Sequence, residues 1–219
     1  MAEYVKLEES TPGKTKFYNI GKYSFSTIEI KHLVIALSLI TLTFLAVSLR
    51  GTSRFSQMGI FEIVAAVLIT VGTGFIIHEF AHKIVAQYYG FTSEFRGDFP
   101  MMFLSLAVAT LTGFIFLAPG AVMILGRVSI RQNGIISVAG PITNLVLALI
   151  FLAMSLVFTT GFLSMVSQLG LWINALLGVF NMLPFWVLDG KKVIAWSRTA
   201  YFVVMIPLII LLIIGFGGF

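Results

Sequence analysis

The chain has 219 residues, 58% of them apolar and only 11% charged, and a mean hydropathy of +1.02, which excludes an ordinary soluble globular domain. Its formal charge is +5, but the Lys and Arg lie thinly between apolar runs and form no dense phosphate-tracking patch, so no nucleic-acid partner is expected. With no cysteine, disulfide scaffolds, Cys-ligated zinc and thiolate nucleophiles are ruled out, and any metal ligands must come from His, Asp and Glu.

In chain order, residues 1–31 read as a cytoplasmic segment with a possible β-strand, and 32–219 as one transmembrane domain. The first 30 residues carry Glu3, Lys6, Glu8, Glu9, Lys14 and Lys16 with no short apolar core before a small-residue cleavage site. No cleaved leader is therefore expected, and the first span is expected to direct insertion. "KYSFSTIEI" (22–30) alternates and is rich in aromatic and β-branched residues, which reads as extended chain. Apolar runs near 32–49, 58–82, 135–157, 165–183 and 200–216 approach the ~20 residues that cross a bilayer.

A further run, 101–118, is ambiguous by length. As a full crossing it would scatter the positive charges over both sides. As a re-entrant segment it puts Lys6, Lys14, Lys16, Lys22, Lys31, Lys83, Arg96, Arg127, Arg131, Lys191, Lys192 and Arg198 on one side and Arg50 and Arg54 on the other. Short cytoplasmic loops collect Lys and Arg, so the N-terminus and the end of the second span are expected in the cytoplasm and Phe219 outside. "GAVMILGRVSIRQNG" (120–134) also reads as extended, and with 22–30 predicts a small sheet at the cytoplasmic membrane face. The fold expected is an all-α polytopic membrane protein, a bundle of about five to six transmembrane helices with a small membrane-associated β-sheet.

Residues 78–82, "HEFAH", stand near the end of the second apolar run. On a helix, histidines at i and i+4 leave the same face and can grip one zinc ion, while Glu79 sits about 60° round from His82, near enough to act as a general base on a water there. Such a motif arises by accident in soluble helices, where it costs little. Ionisable groups inside a membrane are costly and mark function. Catalytic zinc takes three protein ligands, so a third is needed. His32 lies at the interfacial edge of the first span beside Lys31, Glu62 sits at the outer end of the second, and Glu94 and Asp98 fall in the loop after it. Asp189 stands apart in "NMLPFWVLDG" (181–190), where a span returning from outside brings it to the depth of the histidines. A plain Asp-Gly turn ending a helix is the structural alternative.

"HEFAH", then "AGPITN" (139–144), then "NMLPFWVLDG", in this order, resemble the site-2 protease family of intramembrane zinc metalloproteases over roughly residues 60–198. The resemblance implies one zinc ion on His78, His82 and Asp189, Glu79 as catalytic base, and Asn181 as a candidate oxyanion donor. An amide bonded to unwound backbone is the alternative for Asn181, and a helix–helix hydrogen bond for Asn144. The family often has two prolines after the asparagine; here Met182 takes the first place and Pro184 remains. Gly140 and Pro141 read as structural, letting their helix start close to its neighbours. The expected activity is cleavage of a transmembrane segment of another membrane protein, within the lipid bilayer, with the unwound substrate pairing to an edge strand from 120–131. A polytopic metal-ion transporter using the same His/Asp site is the rival, although such sites need two-sided access and often arise in inverted repeats, which this sequence does not show.

Overall fold

The computed structural model describes residues 16–21, 23–48, 59–113, 115 and 119–217. Strands β1 (Phe17–Ile20) and β2 (Tyr23–Ser26) form an antiparallel ribbon. Helix α1 (Thr27–Ser48) follows directly, so only the first part of 22–30 is extended. The cause is a reciprocal capping box: Glu29 N–H donates to Ser26 Oγ at 3.1 Å and Ser26 N–H donates to the Glu29 carboxylate at 3.4 Å.

The second span is α2 (Ile60–Val67), one π-helical stretch over Leu68–Gly72, and α3 (Thr73–Tyr88). Here Thr70 Oγ1 donates to the Ala66 carbonyl at 2.7 Å and Thr73 Oγ1 to that of Ile69 at 2.6 Å, so the side chains help satisfy backbone groups that the bulge loosens.

Strand β3 (Thr92–Gly97) and strand β4 (Gly120–Leu125) pair antiparallel from Thr92↔Leu125 to Gly97↔Gly120. Between them lies α4 (Phe99–Thr112), capped by Asp98, whose carboxylate accepts from Met101 N–H at 3.0 Å. Its 14 residues span about 21 Å at 1.5 Å each, short of the ~30 Å hydrocarbon core. The excursion closes on itself, because Asp98 N–H donates to the Pro119 carbonyl at 3.3 Å just beyond the paired Gly97 and Gly120. This return fits a re-entrant 101–118, of which residues 114 and 116–118 lie outside the described residues.

Two corrections follow. The expected single sheet is two separate two-stranded sheets, with β3 unforeseen. Residues 130–134 are helix, since Ser129 and Gln132 form another capping box that opens α5 (Ile130–Val157). Helices α6 (Gly161–Asn181), α7 (Asp189–Trp196) and α8 (Arg198–Gly217) complete the chain.

Five helical segments are long and apolar enough to cross a membrane, as expected of an all-α polytopic membrane protein. Helix α5 lies between α3, α6, α7 and α8, and the buried side chains of Ala148, Phe151, Leu169 and Ile173 belong to the core around it. Val203, Ile206, Ile210 and Ile213 of α8 are exposed, the outer face a lipid-facing helix presents. The "AGPITN" segment lies well inside α5 rather than at its start. Pro141 offers no N–H to the Ser137 carbonyl, which loosens the turn where α5 meets α3.

Candidate metal centre

His78 and His82 project from α3 one turn apart, with their Nε2 atoms 3.0 Å from each other. Asp189, the first residue of α7, brings Oδ2 to 3.0 Å from His82 Nε2 and 3.5 Å from His78 Nε2. All three side chains are buried. Among the described residues they are the one His/Cys/Asp/Glu group whose donor atoms converge, all within 4.8 Å of one another.

The opposite ring nitrogens fix the tautomers. His82 Nδ1 lies 2.7 Å from the Ile136 carbonyl, which can only accept, so Nδ1 carries the proton and Nε2 a lone pair. His78 Nδ1 lies 2.5 Å from Asn144 Oδ1. The Asn144 amide is oriented by its NH₂, which donates to Asn174 Oδ1 at 3.1 Å and to the Gly74 carbonyl at 3.4 Å. A Cβ built on Gly74 would collide with Asn174 Oδ1, so that pair needs glycine beside it. His78 is therefore also protonated on Nδ1, and two nitrogen lone pairs and a carboxylate oxygen face one another.

Three acceptors with no proton between them repel unless a cation lies among them. A tetrahedral zinc ion with bonds of about 2.0–2.2 Å sets its ligand atoms about 3.3–3.6 Å apart; one observed separation, 3.5 Å, lies in that range and the other two, 3.0 Å each, are a few tenths of an ångström short of it, and the two-imidazole, one-carboxylate donor set suits the ion. Gly140 of α5 makes room, since a Cβ there would fall on both Nε2 atoms. Lys192 Nζ lies 3.5 Å from Asp189 Oδ1.

Glu79 is 7% exposed. Its carboxylate lies near Val122 of β4 and beside His78 and Asp189. Its Oε2 has no hydrogen-bond partner among the described residues, an expensive state for a buried oxygen that is resolved when a proton donor enters.

The other candidates are committed elsewhere. His32 Nδ1 accepts from Gly97 N–H at 3.1 Å, Glu94 pairs with Arg96 at 2.6 Å, and Asp98 caps α4. Glu62 caps α2, accepting from Gly59 N–H at 3.1 Å. Asn181 donates its amide to the Leu177 carbonyl at 2.9 Å, the backbone role weighed against an oxyanion role. Asn144, by contrast, touches His78 directly, and Asn174 behind it was not foreseen. The available signal was an amide in each of two apolar spans, which demands a partner there.

Residues 66–161 match the family described as Peptidase family M50. Over 144 residues the chain is 42% identical to a candidate zinc metalloprotease of Methanocaldococcus jannaschii, across 65% of this chain and 75% of that relative. The chain belongs to peptidase family M50. M50 is the site-2 protease family of zinc metalloproteases, so the resemblance carried by "HEFAH" and its companion motifs is borne out. The M50 match includes His78, Glu79, His82 and Asn144 and ends before Asp189. No solved structure matches the chain.

Proposed function

We propose that this chain is an intramembrane endopeptidase whose zinc ion is held by His78, His82 and Asp189 and which hydrolyses a peptide bond in or near a transmembrane segment of another membrane protein. The observation that carries the reading is the nest of three converging acceptors beside an unpartnered Glu79 oxygen, close to the end of a membrane span. When bound, the zinc ion supplies Lewis-acid polarisation of the scissile carbonyl and of the attacking water.

The chain's own residues do the rest. Glu79 accepts the proton of that water at its carboxylate and returns it to the leaving amine, general base and then general acid. Asn144 and the Ile136 carbonyl hold the imidazoles with Nε2 facing inward. One N–H of the Asn181 amide serves the Leu177 carbonyl, which leaves its second N–H as the donor an oxyanion role would use. A substrate helix hides its carbonyls in hydrogen bonds, so it must unwind locally, and the freed backbone can add to β4 as a further strand. The sorting of Lys and Arg supports a multi-pass protein of the cell membrane with its site towards the cytoplasm.

Full-length protein in liposomes tests this against the transporter reading. Cleavage of a co-reconstituted single-span substrate is expected, stopped by a zinc chelator and restored by added zinc, with no zinc uptake into the lumen. Uptake without cleavage would replace the protease by a transporter.

A further inference from the structure

The face of α3 that carries Glu79 continues through Lys83 and Gln87 at i+4 and i+8, and all three face the strands. Glu79 lies against β4 near Val122. Lys83 Nζ donates to the Ser93 carbonyl of β3 at 3.0 Å. Gln87 accepts from Ser24 N–H of β2 at 3.0 Å and donates to the Ser24 carbonyl at 3.1 Å and the Ser93 carbonyl at 3.4 Å.

Lys83 is 1% exposed, and its charge is met by Glu29 of α1, 0% exposed and 2.5 Å away. The other Glu29 oxygen accepts from Phe95 N–H at 3.1 Å. Gly97 N–H goes to His32 Nδ1 of α1. Ser93, Phe95 and Gly97 alternate along β3, so side chains of α1 and α3 occupy its outer edge. In an antiparallel pair the bonding direction alternates, so Glu94↔Met123 and Arg96↔Ala121 exchange the ladder bonds and Val122 and Ile124 turn their backbone groups outward on the other side. Among the described residues the edge open to a further strand is that of β4, which lies against α3.

A buried ion pair is weak evidence for stability, because well-packed apolar residues often do as well. Here the pair ties three elements to the catalytic helix at fixed points. We propose that Glu29 and Lys83, assisted by Gln87 and His32, are positioning residues that lock β3 onto α1 and α3 and so hold the open edge of β4 at one register against Glu79. This rests on the endopeptidase reading: an unwound substrate segment adds at β4, and the lock decides which of its bonds meets the metal centre.

The test uses the chain carrying Glu29→Ala together with Lys83→Met, which leaves no buried charge unpaired, whereas Glu29→Ala alone strands the Lys83 ammonium. Zinc content, KM and kcat on a single-span substrate, and the cut bonds by mass spectrometry are measured beside wild type. The variant should keep its zinc, raise KM at least about tenfold, and spread cleavage from one bond to its neighbours. Glu29→Gln, whose single amide oxygen can accept from Phe95 N–H or from Lys83 but not from both, should spread cleavage less than the double variant. An unchanged KM with a single cut, loss of zinc together with all cleavage, or a wild type that itself cuts several bonds overturns the lock. A wild type that cuts no transmembrane substrate is a different failure and removes the endopeptidase reading beneath it.

Discussion

Replacing Asn144 by alanine should weaken zinc binding without touching any of the three donors. Asn144 is fully buried, and its Oδ1 is the partner of His78 Nδ1 at 2.5 Å. Alanine leaves that N–H without an acceptor, a state costing about 1–3 kcal/mol in a buried site. The cost falls on the tautomer that turns Nε2 inward. At about 1.4 kcal/mol per decade, zinc should bind roughly 5- to 140-fold more weakly. Asn174 Oδ1 and the Gly74 carbonyl also lose donors, but they do so with and without metal, so this lowers stability and largely cancels from the zinc Kd. Competition with a chromophoric chelator at fixed pH measures the shift. Asn181→Ala is the control and should bind as wild type, because its amide serves Leu177. A folded Asn144→Ala chain with the wild-type Kd, or equal weakening by Asn181→Ala, would refute the orienting role.

Gly140→Ala places a methyl group on both Nε2 atoms and should empty the centre, read as zinc per chain falling towards zero by elemental analysis. Helix α5 has 28 residues, about 42 Å at 1.5 Å each, so cysteines placed singly at Arg127 and Thr159 should lie on opposite faces of the membrane; an impermeant thiol reagent added outside cells should label only position 159, and labelling at 127 would reverse the topology. Substrate unwinding predicts that replacing a Gly near the cut bond by Leu slows cleavage roughly fivefold, since about 1 kcal/mol of helix propensity is added; an unchanged initial rate would mean that unwinding is not limiting.

The metal centre was legible because its signal is local and periodic: His78 and His82 at helical spacing, a carboxylate between them, and a membrane span that makes each expensive. Asp189 was legible only through the path of the chain, and the ends of the segment between β3 and β4, which bear on this path, meet at Asp98 and Pro119. The strand boundaries were misread for one reason repeated. Ser26-x-x-Glu29 and Ser129-x-x-Gln132 are capping boxes that start helices, but Tyr, Phe, Val and Ile around them alternate like strands. Lys83 entered the charge tally as a cytoplasmic cation, whereas its partner Glu29 lies 54 residues away and the pair is buried. Neither that pairing nor the π-helical stretch before α3 leaves a mark in linear sequence, and Asn144 signals only that an amide in a span needs a partner, not that the partner is His78, because each depends on which helix faces come together.

The most direct measurement sets zinc content beside cleavage rate for purified wild type, Glu79→Gln and Asp189→Ala. Wild type should carry one zinc per chain and cut a single-span substrate. Glu79→Gln should keep the zinc and lose nearly all cleavage, since an amide cannot take the proton of the attacking water. Asp189→Ala should lose both. Active wild type without zinc, or Asp189→Ala with its zinc and activity intact, would contradict a catalytic ion held by His78, His82 and Asp189.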